Sequence, residues 1–183
     1  MPKQKRTDIP KAVIVEIIKD VSSKMKHANR DVFKKYDIQL SSKNLSEIVG
    51  KLTEASSAQI LTKYLGYQVI NAKSDKDPDL IFTKTDERFE IKLTSTLNSW
   101  QGGEFSTRPY DYILISWGGD FDEFFVARAI LTTSAWRSNI KKRRYGTTYY
   151  AKDLLKNKTK QIYIGKLIKT PRGAIKLQRE KLL

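Results

Sequence analysis

The apolar positions of the chain recur first at helical spacing and then, from about residue 67, at the two-residue spacing of strands. Ile14, Ile17, Ile18, Val21 and Met25 form a helical stripe that begins just after Pro10, a residue suited to a first helical turn. Val32, Phe33 and Tyr36 predict a second short helix after Asn29-Arg30-Asp31. Ser41-Ser42 offers a cap to a run carrying Leu45, Ile48, Val49 and Leu52 on one stripe. Ala58, Leu61 and Leu65 extend the helical pattern beyond Glu54, and Gly66 closes it. Residues 67–72 then predict a strand, and residues 78–93 predict a β-hairpin with its turn near Thr85. Residues 112–117 are almost wholly apolar, which suits a strand covered on both faces, and residues 123–127 predict the returning strand. Further on, residues 130–138 predict a short helix, residues 151–155 a helical turn, and residues 161–168 and 174–177 two strands. Residues 93–109 are polar and broken by Gly102-Gly103, which predicts a long loop. Residues 1–9 predict a flexible basic arm.

This order of elements predicts an α/β fold, with a central mixed β-sheet flanked by helices. At 183 residues and 39% hydrophobic content the chain is long and apolar enough to bury a core as one domain. It divides into a helical extension at 1–40, a core at 45–127 and a basic part at 137–183. The absence of cysteine excludes disulfides and thiolate metal sites and fits a reducing cytoplasm. A single histidine, His27, excludes histidine-rich metal sites, so any catalysis must lean on carboxylates and lysines. No apolar run reaches the roughly 18 residues of a membrane span, and no signal peptide is visible, so no membrane partner is expected.

Charge sharpens the picture because the net +15 is unevenly spread. After Trp136 there are fifteen Lys and Arg against two acids, whereas residues 41–136 hold ten against thirteen. A basic quarter beside an acidic middle predicts a polyanionic partner, nucleic acid above all, with metal ligands in the middle. A basic tail kept for solubility and an anionic membrane surface are the alternatives.

The candidate chemistry sits in the hairpin. In its second run Phe89, Ile91 and Leu93 share one face while Arg88, Glu90 and Lys92 share the other. A turn centred near Thr85 brings Asp79 opposite Ile91 or Lys92. Two carboxylates and an amine then converge, and Asp79 and Glu90, with the Ile91 carbonyl, offer the hard oxygens that Mg²⁺ prefers. Lys92 is placed to orient or deprotonate a water, or to neutralise transition-state charge. A surface hairpin with merely solvated charges is the bland alternative. Glu54 is an acid aligned with an apolar stripe, and a buried carboxylate needs a cation nearby. Glu47, two turns earlier, is the rival for that place, and an ordinary exposed helical glutamate remains open.

The succession of a glutamate-bearing helix, a strand, the Pro78-Asp79 strand and the Glu90-Ile91-Lys92 strand resembles the PD-(D/E)xK nuclease family over residues 45–117. The resemblance implies a restriction-endonuclease-like core, with Asp79, Glu90, Lys92 and Glu54 as catalytic residues and Mg²⁺ as cofactor. The implied activity is hydrolysis of DNA phosphodiester bonds. Its setting would be a small type II restriction enzyme acting as a homodimer, with the helix from Pro10 to about Met25 as a candidate contact. A structure-specific nuclease such as a Holliday-junction resolvase is the enzymatic alternative, and a catalytically inert DNA-binding module the non-enzymatic one. DNA contacts are expected from Ser106, Thr107 and Arg108 in the long loop, and from Arg137, Lys141, Lys142, Arg143 and Arg144, where cations interleave with Trp136 and Tyr145. A solvated charge run and an ordinary loop are the alternatives there.

Overall fold

The first helix forms where the apolar stripe predicts it. Helix α1 (Lys11–Ala28) follows Pro10 and buries Val13, Ile14, Ile17, Ile18, Val21 and Met25. The computed structural model describes residues 6–71, 78–102, 110–138 and 147–182. The readings placed on Ser106, Thr107, Arg108, Lys141, Lys142, Arg143 and Arg144 lie outside these residues. Past α1 the backbone widens into a π-type turn over Asn29–Lys34 in place of a separate second helix, leaving Val32 and Tyr36 exposed. Helix α2 (Ser42–Leu65) is capped by Ser41, whose side chain accepts the Asn44 N–H at 3.2 Å. It stops at Gly66, which takes the left-handed conformation at φ 70°. Such a cap contributes about 1 kcal/mol.

The central sheet runs in the order β1 (Val69–Asn71), β2 (Leu80–Phe82), β3 (Glu87–Thr94), β5 (Tyr110–Gly118), β6 (Glu123–Leu131), β12 (Glu180–Lys181), with β9 (Gln161–Ile164) also on β6. Only β3 and β5 pair in parallel; the other pairs are antiparallel. The fold is therefore α/β with a mixed central sheet flanked by helices. Helices α1 and α2 cover one face over Phe89, Ile91, Ile113, Ile115 and Val126. The other face buries Tyr112, Leu114, Phe125, Ala127 and Ala129. Over it lie the small sheet β4 (Ser99–Gly102), β8 (Thr147–Tyr150), β7 (Arg137–Ser138), the helix α3 (Ala151–Lys156), and the hairpin β10 (Lys166–Lys169) to β11 (Ile175–Gln178). Each Val, Leu, Ile or Phe withdrawn from water in these two cores stabilises by roughly 1.5–3 kcal/mol. No helix among the described residues is long and apolar enough to cross a membrane.

Five expectations change. The stripe of α1 is spent inside the chain's own core with α2 and the sheet, so the apolar face of this helix is not a free homodimer contact. Residues 6–9 of the expected arm are packed: Ile9 is fully buried, and Arg6 donates from Nε to Asp111 at 2.8 Å. The long polar segment contains a strand, β4, because Trp100 is wholly buried and donates from Nε1 to the Ile115 carbonyl at 2.9 Å. The helix expected at 130–138 is instead the end of β6, one 3-10 turn over Thr133–Ala135, and β7, since Ala127, Ala129 and Leu131 keep the strand period and fill the second core. The strand expected over 161–168 is split at Gly165, whose φ of 78° and lack of a Cβ let the chain turn from β9 into β10. A Cβ there would meet the Gln178 carbonyl at 2.4 Å.

Candidate active site

Strand β2 is short, and β3 outlasts it. The two pair as Leu80 with Phe89, Ile81 with Arg88 and Phe82 with Glu87. Continuing that register sets Asp79 opposite Glu90 and Pro78 opposite Ile91, one or two residues from the Ile91 or Lys92 expected from the sequence. The four-residue turn between the strands, with Asp86 at φ 51°, fixes the difference. A hydrogen bond then closes the junction: the Asp79 carboxylate accepts the Ile91 N–H at 2.6 Å. In a strand, the N–H and C=O of one residue point to the same side, so the Ile91 carbonyl is directed toward the Asp79 side. Its register neighbour Pro78 has no N–H to give it. The proline before the aspartate thus keeps β2 from capping this carbonyl.

Lys92 lies two residues along the same face of β3, and its Nζ is 2.5 Å from Glu90 Oε1. From the helix layer, Glu54 reaches the same place. It is 8% exposed and paired with Lys51 Nζ at 2.8 Å. Glu47 lines the same cleft but is an exposed partner of Lys43 at 3.8 Å, so of the two rival helix acids Glu54 is the one set into the site. The cleft measures about 560 Å³. One helix face of α2, residues 43, 46, 47, 50, 51 and 54, forms one wall; Asp79, Ile91 and Lys92 line it from the sheet, and Gln101 from β4.

Electrostatics single this cluster out. Burial pushes the carboxyls of Asp79, Glu90 and Glu54 above their usual range. The Asp79 charge pushes Glu54 and Glu90 further the same way, while Lys92 and Lys51 pull against it. Among the described residues, three carboxylates face two ammonium groups there, an excess of negative charge in a half-enclosed place. A divalent cation relieves that arrangement, and carboxylate plus carbonyl oxygens are the donors Mg²⁺ takes. Among the described residues no three His, Asp or Glu side chains form a metal-holding group by themselves; Asp79, Glu90 and the Ile91 carbonyl are the donors that fit.

Of the residues expected to contact DNA, Arg137 is described. It lies on β7 opposite Thr148 of β8, which in turn lies opposite Gln101 of β4. Paired positions share a face of a sheet, so Arg137 stands on the face that carries Gln101, two strand spacings or roughly 10 Å from it. It pairs with Asp153 at 2.9 Å and lies over the Tyr150 ring. Trp136 points the other way, into the second core against Tyr112 and Tyr149, and is no part of a DNA-facing aromatic run. Sequence reasoning missed Lys51, Gly50 and Gln101. The first two had a visible signal, since positions 43, 46, 47, 50, 51 and 54 share one helix face and none is apolar. No family model matches the chain, and no curated protein matches it.

Proposed function

We propose that the chain is a Mg²⁺-dependent endonuclease of the PD-(D/E)xK type that hydrolyses DNA phosphodiester bonds on a restriction-endonuclease-like core. Its setting is a type II restriction enzyme that cuts double-stranded DNA at a short site as a homodimer. One observation carries the reading: the Asp79 carboxylate accepts the Ile91 N–H across the β2–β3 junction, next to Glu90 with Lys92 on it. Asp79, Glu90 and the Ile91 carbonyl would hold the ion. When bound, Mg²⁺ polarises a phosphoryl oxygen and makes a water more acidic. The Lys92 ammonium, fixed by Glu90, orients the attacking water and offsets charge on the phosphorane-like transition state. Glu54 acts on Asp79 through its charge and through Lys51.

The excess of cations after Trp136 supports a polyanionic substrate. Gln101 and Arg137, exposed on one face of the small sheet beside the cleft, supply surface for reading bases. That extra surface favours a restriction enzyme over a Holliday-junction resolvase. Incubation of mixed-sequence plasmid and of a synthetic four-way junction, with Mg²⁺ and with EDTA, tests the proposal. Discrete plasmid fragments in Mg²⁺ alone are expected. Cutting of the junction only would make the chain a resolvase, and cutting of neither would make it an inert binding module.

A further inference from the structure

Gly50 is the ninth residue of a 24-residue helix, where glycine is the poorest helix former after proline. Packing does not demand it there. Among the described residues a Cβ at position 50 would meet only Leu93 Cδ1, at 3.7 Å, an ordinary contact, and the backbone is helical. The residue is buried, yet it lines the open cleft, between its chain neighbour Lys51 on one side and Leu93 and Lys92 on the other. A missing side chain at the floor of a cleft is how a backbone admits close approach by a ligand. Lys51 stands on α2 and Lys92 on β3, and both line the cleft, with their ammonium groups on Glu54 and Glu90.

Resting on the nuclease reading above, we infer that Gly50 is a clearance position, over which the sugar–phosphate backbone of the DNA strand being cut crosses α2, its phosphate held between Lys51 and Lys92. The occupant is a phosphodiester backbone because Lys51, Lys92 and the Ser46 hydroxyl offer donors, and the acids that line the same cleft, Glu47, Glu54 and Asp79, leave the two ammonium groups as the places where a phosphate can sit. Gly50 itself has no side chain that would read a base. Helix α2 therefore takes a share of the phosphate contact that the charge pattern alone assigns to the last quarter of the chain.

Gly50→Ala and Gly50→Gln separate the fold from the cleft. Alanine suits the helix, so Gly50→Ala raises the melting temperature of the free protein by about 2–4 °C. The same change weakens binding of a mixed-sequence duplex in EDTA, and cleavage in Mg²⁺, by a few-fold. Gly50→Gln, whose side chain must enter the cleft, lowers both by about tenfold or more. Melting curves, anisotropy titrations and cleavage rates on the two variants and the wild type give the answer. Wild-type binding and cleavage in both variants would overturn the inference and leave the nuclease reading standing. A wild-type protein that neither binds nor cuts the duplex would overturn both.

Discussion

Strand β3 carries two charged clusters, and they differ in how their acids are matched. At its start, Arg128 is 1% exposed and donates from Nε and Nη2 to Asp111 Oδ2 at 3.0 and 2.8 Å. It also donates from Nη1 to the Thr7 carbonyl at 2.6 Å and lies over the Phe89 ring. Arg6 forks onto both oxygens of Asp111 at 2.8 Å each, and Glu87 accepts the Thr7 N–H at 2.8 Å. Two guanidinium groups and two acids balance there, with the forks spent on internal partners. A few residues along, Glu54, Asp79 and Glu90 face Lys51 and Lys92. Lysines are point charges on flexible stems, and the three carboxyls remain pushed up by burial. The first cluster is complete as it stands. Among the described residues the second has one acid more than it has cations, and under the nuclease reading that is where a divalent ion would sit.

The largest effect is expected where the matched cluster is broken. Arg128→Ala leaves Asp111 and Glu87 buried with reduced compensation and should destabilise by about 3–5 kcal/mol. Urea unfolding followed by circular dichroism measures it; a loss below about 1 kcal/mol would mean the network is not structural.

Next comes the rim of the unmatched cluster. If Arg137 reads a base from the face it shares with Gln101, Arg137→Ala should cost about 1–3 kcal/mol on a duplex carrying the recognition site and little on a scrambled one. Equal losses on both duplexes, with a shallower salt dependence, would reduce it to a phosphate contact. The Asp153 pairing makes a small stability loss the expected side effect.

The smallest effect is on the apoprotein's stability, and its sign is diagnostic. A carboxyl whose pKa is raised by folding holds its proton more tightly in the folded state. The stability it contributes is present below the ordinary carboxylate pKa and is lost as pH rises through the raised value. Without metal, the protein should therefore lose stability from this cluster as pH climbs above about 4. Asp79→Asn keeps an oxygen for the Ile91 N–H but removes the charge. It should be as stable as the wild type or more so at neutral pH, with the gap closing as pH falls. Melting scans across pH in EDTA test this, and a variant less stable at neutral pH would contradict it.

The contrast between the clusters also marks what the sequence could reveal. Asp79, Glu90 and Lys92 were legible because a two-residue period assigns faces within one hairpin, and Ser41 and Gly66 bracket α2 by local capping chemistry. The pairing of Asp79 was off by one or two residues because a turn's length, set by Asp86 at positive φ, decides register and is not written in the alternation. The matched cluster was invisible: Arg6 and Asp111 are 105 residues apart, and nothing local links them. Strand β4 was hidden for the same reason, since its anchor is Trp100 on a carbonyl of β5. The apolar stripe of α1 was plain, but a stripe does not say whether its partner is the chain's own core or a second copy.

The claim that the unmatched cluster is a nuclease centre is tested most directly by plasmid cleavage with the wild type and Lys92→Ala in parallel. Lys92 is held by Glu90 and belongs to neither hydrophobic core, so the variant should fold. The account predicts Mg²⁺-dependent cutting by the wild type, none in EDTA, and a loss of about 10³-fold or more in Lys92→Ala. Cleavage by Lys92→Ala at the wild-type rate would contradict it.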